Sequence, residues 1–282
     1  MMRFTSIGLL IFTACIFSFP AFSQDKHANY DSDTLSPYRL SWKTDGIIGG
    51  TAISLRLLGE FLPQKELELT EELANNFTST DVVWFDRLAI DKFKPDLINF
   101  STNLNYYAFI APLPLFIDRS MRNDFLTIAT MFVETRLLAE ATPMITKKLF
   151  PRFRPYVYSE EFDFETKDVY NDSRSFFSNQ SAYVFSSAVF TAKVFSDYYP
   201  ESKARPWVWG GALASATAIG VLRHEIGIHY ISDLVVGAAV GLALGYFIPH
   251  FHLRKSSTDS ELSLAPTIYE GLPGVRLRYR IL

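Results

Sequence analysis

Cysteine is almost absent: Cys15 is the single one in 282 residues, and it falls within the first 23. Past that point the chain can build no disulfide framework, no Cys-ligated metal centre and no thiol nucleophile. A basic excess is missing as well. Lys+Arg number 27 against 30 Asp+Glu, a formal charge of -3, and such a balance excludes a surface built to neutralise nucleic-acid phosphates. There is no low-complexity tract and no internal repeat. Long charge-free runs are scarce: residues 207–222 and 234–249 are two, rich in Gly and Ala. Each falls just short of the roughly 18–20 apolar residues of a membrane span.

What is present is apolar material, 48% of residues, with 15% aromatic, enough for a large core and too much for a disordered chain. Met1-Met2-Arg3, the apolar run 7–19 and Pro20-Ala21-Phe22-Ser23-Gln24 read as a secretory signal peptide cut after Ser23, so that the protein is exported to the cell envelope. Lipidation at Cys15 is the alternative reading of the same stretch. Residues 24–45 form a polar tail. Residues 46–255 form an all-α helical domain, with helices expected near 46–62, 66–76, 81–92, 96–118, 124–150, 179–199, 205–223 and 230–251.

Residues 256–282 change character. Val275, Leu277, Tyr279 and Ile281 alternate with Arg276, Arg278 and Arg280, the period of a strand. A C-terminal β-hairpin with 261–269 is expected. Its arginines would lie on anionic lipid or form a solvated face.

Glu134, Arg136 and Glu140 in the 124–150 helix are expensive against lipid. A membrane-embedded bundle and a soluble one therefore both fit, and the embedded or membrane-associated form is the expectation. A periplasm-facing site is expected; with a cleaved leader it requires one of 46–62, 96–118 and 124–150 not to span, and 46–62 or 96–118 is expected to be peripheral.

Three clusters carry chemistry. Lys147-Lys148-Leu149-Phe150-Pro151-Arg152-Phe153-Arg154-Pro155 places four cations at a helix end, which is either a solvated turn complementing the dipole or an anion site. Ser175-Phe176-Phe177-Ser178-Asn179-Gln180-Ser181 opens the next helix. Ser178 there is an ordinary cap, and a helix N-terminus also binds anions. In Arg223-His224-Glu225-Ile226-Gly227-Ile228-His229-Tyr230-Ile231-Ser232-Asp233, His229 and Asp233 share a face. That pair is a structural hydrogen bond, or a carboxylate that orients a nucleophilic imidazole. In an up-and-down bundle all three clusters meet at one end, and convergent cations beside an oriented imidazole suit phosphoryl transfer.

These clusters resemble the three motifs of the type 2 phosphatidic acid phosphatase (PAP2) and vanadium haloperoxidase superfamily, Lys-x6-Arg-Pro, Pro-Ser-Gly-His and Ser-Arg-x5-His-x3-Asp, over residues 124–250. The resemblance implies a PAP2-type helical bundle. It implies that Lys147, Arg154, Arg223, Ser178 and the backbone around Asn179 and Gln180 hold phosphoryl oxygens. His229 would form a phosphohistidine and Asp233 would orient it, without a metal or other cofactor. The implied partner is a phosphorylated lipid or small phosphoester.

The second motif departs from the pattern: Phe177 stands for Pro, Asn179 for Gly and Gln180 for His, while Leu222 replaces the Ser of the third. An amide donates a hydrogen bond but delivers no proton near neutral pH. Losing a general acid costs about 10²–10⁴ in rate, least for good leaving groups. His224, Glu225 and Tyr230 are candidate substitutes. The expectation is thus an envelope phosphatase with impaired or altered catalysis. The alternative is an inactive relative that binds phosphorylated ligands or serves in an assembly, and vanadate chemistry is a third reading. Glu160, Glu161, Asp163, Glu165, Asp168 and Asp172 form a solvated loop or an acidic lid.

Overall fold

Small residues decide where the helices of this protein touch. The computed structural model describes residues 36–63, 67, 69–159, 172–254, 262–269 and 272–279. The expected leader and most of the acidic loop lie outside the described residues. The long helices are α1 (Trp42–Phe61), α2 (Phe125–Leu149), α3 (Asn179–Tyr198), α4 (Arg205–Glu225) and α5 (Ile231–Phe251).

At the centre is α3, against which α5, α4 and α2 pack, while α1 lies on α2. Gly237, Gly241 and Gly245 recur every four residues along α5. A Cβ on them would sit 2.6, 2.6 and 2.4 Å from the carbonyl oxygens of Ser178, Ala182 and Ser186. Only glycine permits two helix backbones to lie this close. Because that stripe begins four residues after Asp233, it sets the start of α5 against the start of α3, and the Ser178 N–H donates to the Asp233 carbonyl at 3.1 Å.

Two expected helices do not form. Residues 81–92 hold 3-10 turns at Ser79–Asp81 and Arg87–Ala89. Asp81 accepts the Thr78 N–H at 2.9 Å and Asp91 takes φ 66, both of which end a helix locally. Residues 96–118 are broken into the short pieces Pro95–Leu97, Ile98–Asn103, Leu104–Tyr106, Tyr107–Ile110 and Leu113–Ile117, since Pro112 and Pro114 lack the N–H a continuous helix needs. The 66–76 helix is shorter too, Glu71–Asn76, with the Thr70 hydroxyl accepting the Leu73 N–H at 3.1 Å.

The broken segment nevertheless runs the length of α3. The Gln180 amide donates to the Ser101 carbonyl, the Ser187 hydroxyl to the Ala108 carbonyl and the Tyr199 hydroxyl to Asp118. Helix α1 is equally long in reach. Its Asp45 meets His252 just past the end of α5, and Lys148 at the end of α2 donates to the carbonyls of Glu60 and Leu62. Both 46–62 and the 98–118 segment thus pack along the length of the bundle.

Large apolar side chains face outward on several elements, among them Trp42, Phe61, Ile117 and Trp207, each 80–83% exposed. Helix α5 is long and apolar enough to cross a membrane, with mean hydropathy 1.9. Residues from Leu253 onward form a separate unit. In it Leu262–Tyr269 and Leu272–Tyr279 pair antiparallel, with Leu264 opposite Leu277.

Candidate functional site

The bundle end that gathers the three clusters is assembled by a short backbone ladder. The Arg152 N–H donates to the Ser173 carbonyl and the Arg154 N–H to the Asp172 carbonyl, at 2.9 and 2.8 Å, and the Ser175 N–H returns to the Arg152 carbonyl at 3.0 Å. This lays the first cluster beside the second. Lys147, buried in the last turn of α2, donates to the Arg174 carbonyl at 2.9 Å. The third cluster closes the site through Gly227, whose φ of +73 and close approach to the Phe93 backbone leave no room for a side chain. Arg154 then donates to the Ile228 carbonyl at 3.0 Å.

His229 is 2% exposed and its Nδ1 faces Asp233 Oδ2 at 3.4 Å. The same Oδ2 accepts the Ser175 hydroxyl and, at 3.1 Å, the Tyr230 N–H. A carboxylate only accepts, so it selects the Nδ1–H tautomer and leaves the Nε2 lone pair uncommitted. Burial pushes the His229 imidazole well below its ordinary pKa, and the charges of Arg154 and Lys147 push the same way, against the pull of Asp233. These surroundings favour the neutral imidazole, whose Nε2 lone pair is able to act as a nucleophile.

Arg223, at the end of α4, donates to the Ser101 hydroxyl at 2.7 Å, and its Nε is buried without a partner. Ser178 caps α3, accepting the Ser181 N–H at 3.3 Å. Asn179 Oδ1 and Gln180 Oε1 are both buried without partners. Gln180 Nε2 is committed to the Ser101 carbonyl at 2.5 Å. The structure thus brings Lys147, Arg154, Ser178, Asn179, Gln180, Arg223, His229 and Asp233 to one end of the bundle. Of the substitute acids, His224 and Glu225 both contact Lys92, at 3.4 and 2.7 Å, and the Tyr230 ring lies 3.9 Å under the Arg152 guanidinium.

Sequence reasoning missed Asp86 and left Arg152 without a role. Arg152 reaches Asp233 Oδ1 at 2.9 Å, Ser232 at 2.7 Å and Asp86 at 2.7 Å. Asp86, 1% exposed, also accepts the Ser232 N–H and hydroxyl at 2.9 and 2.6 Å. Arg152 was visible as a fourth cation inside the first cluster, but nothing near Asp86 in the chain marked it. An apolar hollow of about 510 Å³, lined by Phe109, Leu113, Phe125 and Leu137 among others, lies along the other half of α2 and is separate from this site.

Residues 125–257 match the PAP2 superfamily. A lipid A 4'-phosphatase from Porphyromonas gingivalis is 26% identical over 148 residues, which cover 51% of this chain and 58% of that protein. The matched stretch is therefore less than two thirds of the relative's length. A crystal structure of a transmembrane PAP2 type phosphatidylglycerolphosphate phosphatase from Bacillus subtilis aligns over 75% of this chain and 96% of its own, with 18% identity and a TM-score of 0.42. The matched residues, just under half of the chain, contain Lys147, Arg154, Arg223, His229 and Asp233 in order, and it is this region that is similar to the PAP2 superfamily.

Proposed function

We propose that the protein is a membrane-embedded phosphatase of the cell envelope that hydrolyses a phosphorylated lipid or small phosphoester through a phosphohistidine on His229. The observation that carries this reading is the buried imidazole held by Asp233 with Lys147 and Arg154 close by. Nε2 of His229 attacks phosphorus, the P–N bond forms and the ester P–O bond breaks, with the leaving oxygen taking its proton from solvent or a neighbouring acid. Water then cleaves P–N, phosphate departs and the imidazole is restored. Lys147, Arg154, Arg223 and the N–H groups at the start of α3 stabilise the charge that builds on the phosphoryl oxygens. The outward-facing large apolar side chains and the apolar character of α5 support embedding in lipid.

The amide of Gln180 replaces an acid, and its Nε2 is already spent on Ser101. That supports catalysis restricted to good leaving groups. It also favours a second reading, in which the pocket binds phosphorylated ligands without turnover.

The test is phosphate release from p-nitrophenyl phosphate, phosphatidate and isoprenyl diphosphate by the wild type, His229→Ala and Gln180→His. Turnover of the nitrophenyl ester is expected, with none in His229→Ala. Gln180→His is expected to raise phosphatidate turnover by about 10²–10⁴ and the nitrophenyl reaction far less. An active His229→Ala refutes the phosphohistidine. A silent wild type that Gln180→His awakens marks a phosphatase that has lost its acid, and silence in both favours the binding reading.

A further inference from the structure

At the opposite end of the bundle from His229, three helices bring together one imidazole and two carboxylates. His252, just past α5, is 1% exposed. Its Nε2 lies 2.9 Å from Oδ1 of Asp45 in the first turn of α1 and 3.4 Å from Oε2 of Glu134 on α2. The three ligand atoms lie within 4.8 Å of one another. His252 Nδ1 is 2.8 Å from the Ile248 carbonyl. A carbonyl can only accept, so Nδ1 carries the hydrogen, and Nε2, facing two carboxylates, either holds a second proton or gives its lone pair to a cation.

Glu134 decides what belongs there. It is 1% exposed, and neither of its carboxylate oxygens has a hydrogen-bond partner. A single proton on Nε2 serves Asp45 at 2.9 Å and leaves Glu134 in the interior with a 3.4 Å ion-pair contact and no hydrogen bond, an arrangement that costs free energy. A divalent cation between the three atoms gives every one of them a bond, and two carboxylates with a neutral imidazole balance its charge. Asp45 has a side chain 21% exposed, which leaves a route for the ion and room for water to complete the coordination.

We propose that Asp45, Glu134 and His252 form a structural binding site for a divalent first-row transition ion, with zinc or manganese chemistry, that ties the start of α1 to α2 and the end of α5. One nitrogen and two oxygens make a mixed donor set of the kind zinc and manganese accept. Its ligands come from three separate elements more than eighty residues apart, so no ligand spacing announces it in the chain. The site is distinct from the phosphoryl pocket and takes no part in the reaction there.

The full chain, purified in detergent, stripped with chelator and titrated with Zn²⁺ or Mn²⁺ by calorimetry and elemental analysis, tests the proposal. One equivalent per chain and a rise in Tm with the ion are expected. Glu134→Gln and His252→Gln should each lose that equivalent, whereas His229→Ala keeps it, which separates the site from adventitious binding at the pocket. Circular dichroism of each metal-free variant distinguishes loss of the ligand from loss of the fold. A wild type that retains no stoichiometric ion, or folded Glu134→Gln and His252→Gln proteins that bind as the wild type does, overturns it.

Discussion

His229 is a case in which one residue's surroundings set both its role and its pH dependence. Burial and two cations hold its pKa below the ordinary value. The neutral form, the one able to attack, is therefore present above that lowered pKa and is lost only as pH falls through it. An unperturbed histidine near 6.5 would lose roughly three quarters of its neutral form between pH 7.5 and 6. We expect kcat/KM for p-nitrophenyl phosphate to stay flat over that range, with the acid limb below it. Removing a repelling cation in Arg154→Ala should move the limb upward. A wild-type limb centred at or above 6.5 would contradict this account of the site.

Asp86 behaves differently, as a carboxylate whose purpose is to hold Arg152. It takes three hydrogen bonds, from Arg152 and from the Ser232 N–H and hydroxyl. Asp86→Ala leaves a half-buried guanidinium with Asp233 as its one carboxylate partner, and removing one partner of a buried pair costs about 3–5 kcal/mol. Asp86→Asn keeps most of the hydrogen-bonding capacity and should cost much less. Thermal denaturation of the two variants in detergent checks the order, and equal melting points would mean that the Arg152 contact contributes nothing.

At the scale of elements, α5 shows how close packing positions chemistry. The Gly237–Gly241–Gly245 stripe fixes the register of α5 on α3, and with it the distance from Asp233 to Ser178. Gly241→Ala forces a Cβ to within 2.6 Å of the Ala182 carbonyl, and overpacking of this kind costs roughly 1–3 kcal/mol. Gly210 in α4 meets nothing within 4 Å, so Gly210→Ala should gain up to about 1 kcal/mol through helix propensity. The two melting points are expected to move in opposite directions, and phosphate release should fall in Gly241→Ala only.

The same elements mark how far the chain could be read in advance. Long helices with clear apolar periodicity, 124–150, 179–199, 205–223 and 230–251, appear within a few residues of where the pattern places them. That Lys147, Ser178, Arg223 and His229 gather at one end of the bundle was legible because each cluster sits at a helix end. The stretch from 79 to 118 was not, because its structure answers to distant partners: Asp86 turns inward to Arg152, Ser101 to Gln180 and Arg223, and prolines break the rest. A local pattern does not encode a contact made 60 to 120 residues away.

For the whole molecule, the direction in which each segment runs constrains which side of a membrane the site faces. Helix α1 runs from the His252 end toward the site, the 98–118 segment runs back, and α2 returns to the site, as the contacts of Asp45, Lys148, Ala108 and Asp118 require. Three passes precede Lys147, so a mature N-terminus and the site lie on opposite faces. A leader cleaved after Ser23 leaves that N-terminus outside the cytoplasm and sets the site inside. A periplasmic site requires the chain before α1 to begin in the cytoplasm. If all three passes cross a membrane, a cleaved leader and a periplasmic site do not go together. Mass analysis of the mature N-terminus, paired with alkaline phosphatase and fluorescent reporters fused within residues 160–171, reads both halves. Cleavage with a cytoplasmic loop, or an intact N-terminus with a periplasmic loop, is the expected pairing. Cleavage with a periplasmic loop would mean that one of the three passes stops short of crossing, and the broken 98–118 segment, with Pro112 and Pro114 interrupting it, is where that failure would fall.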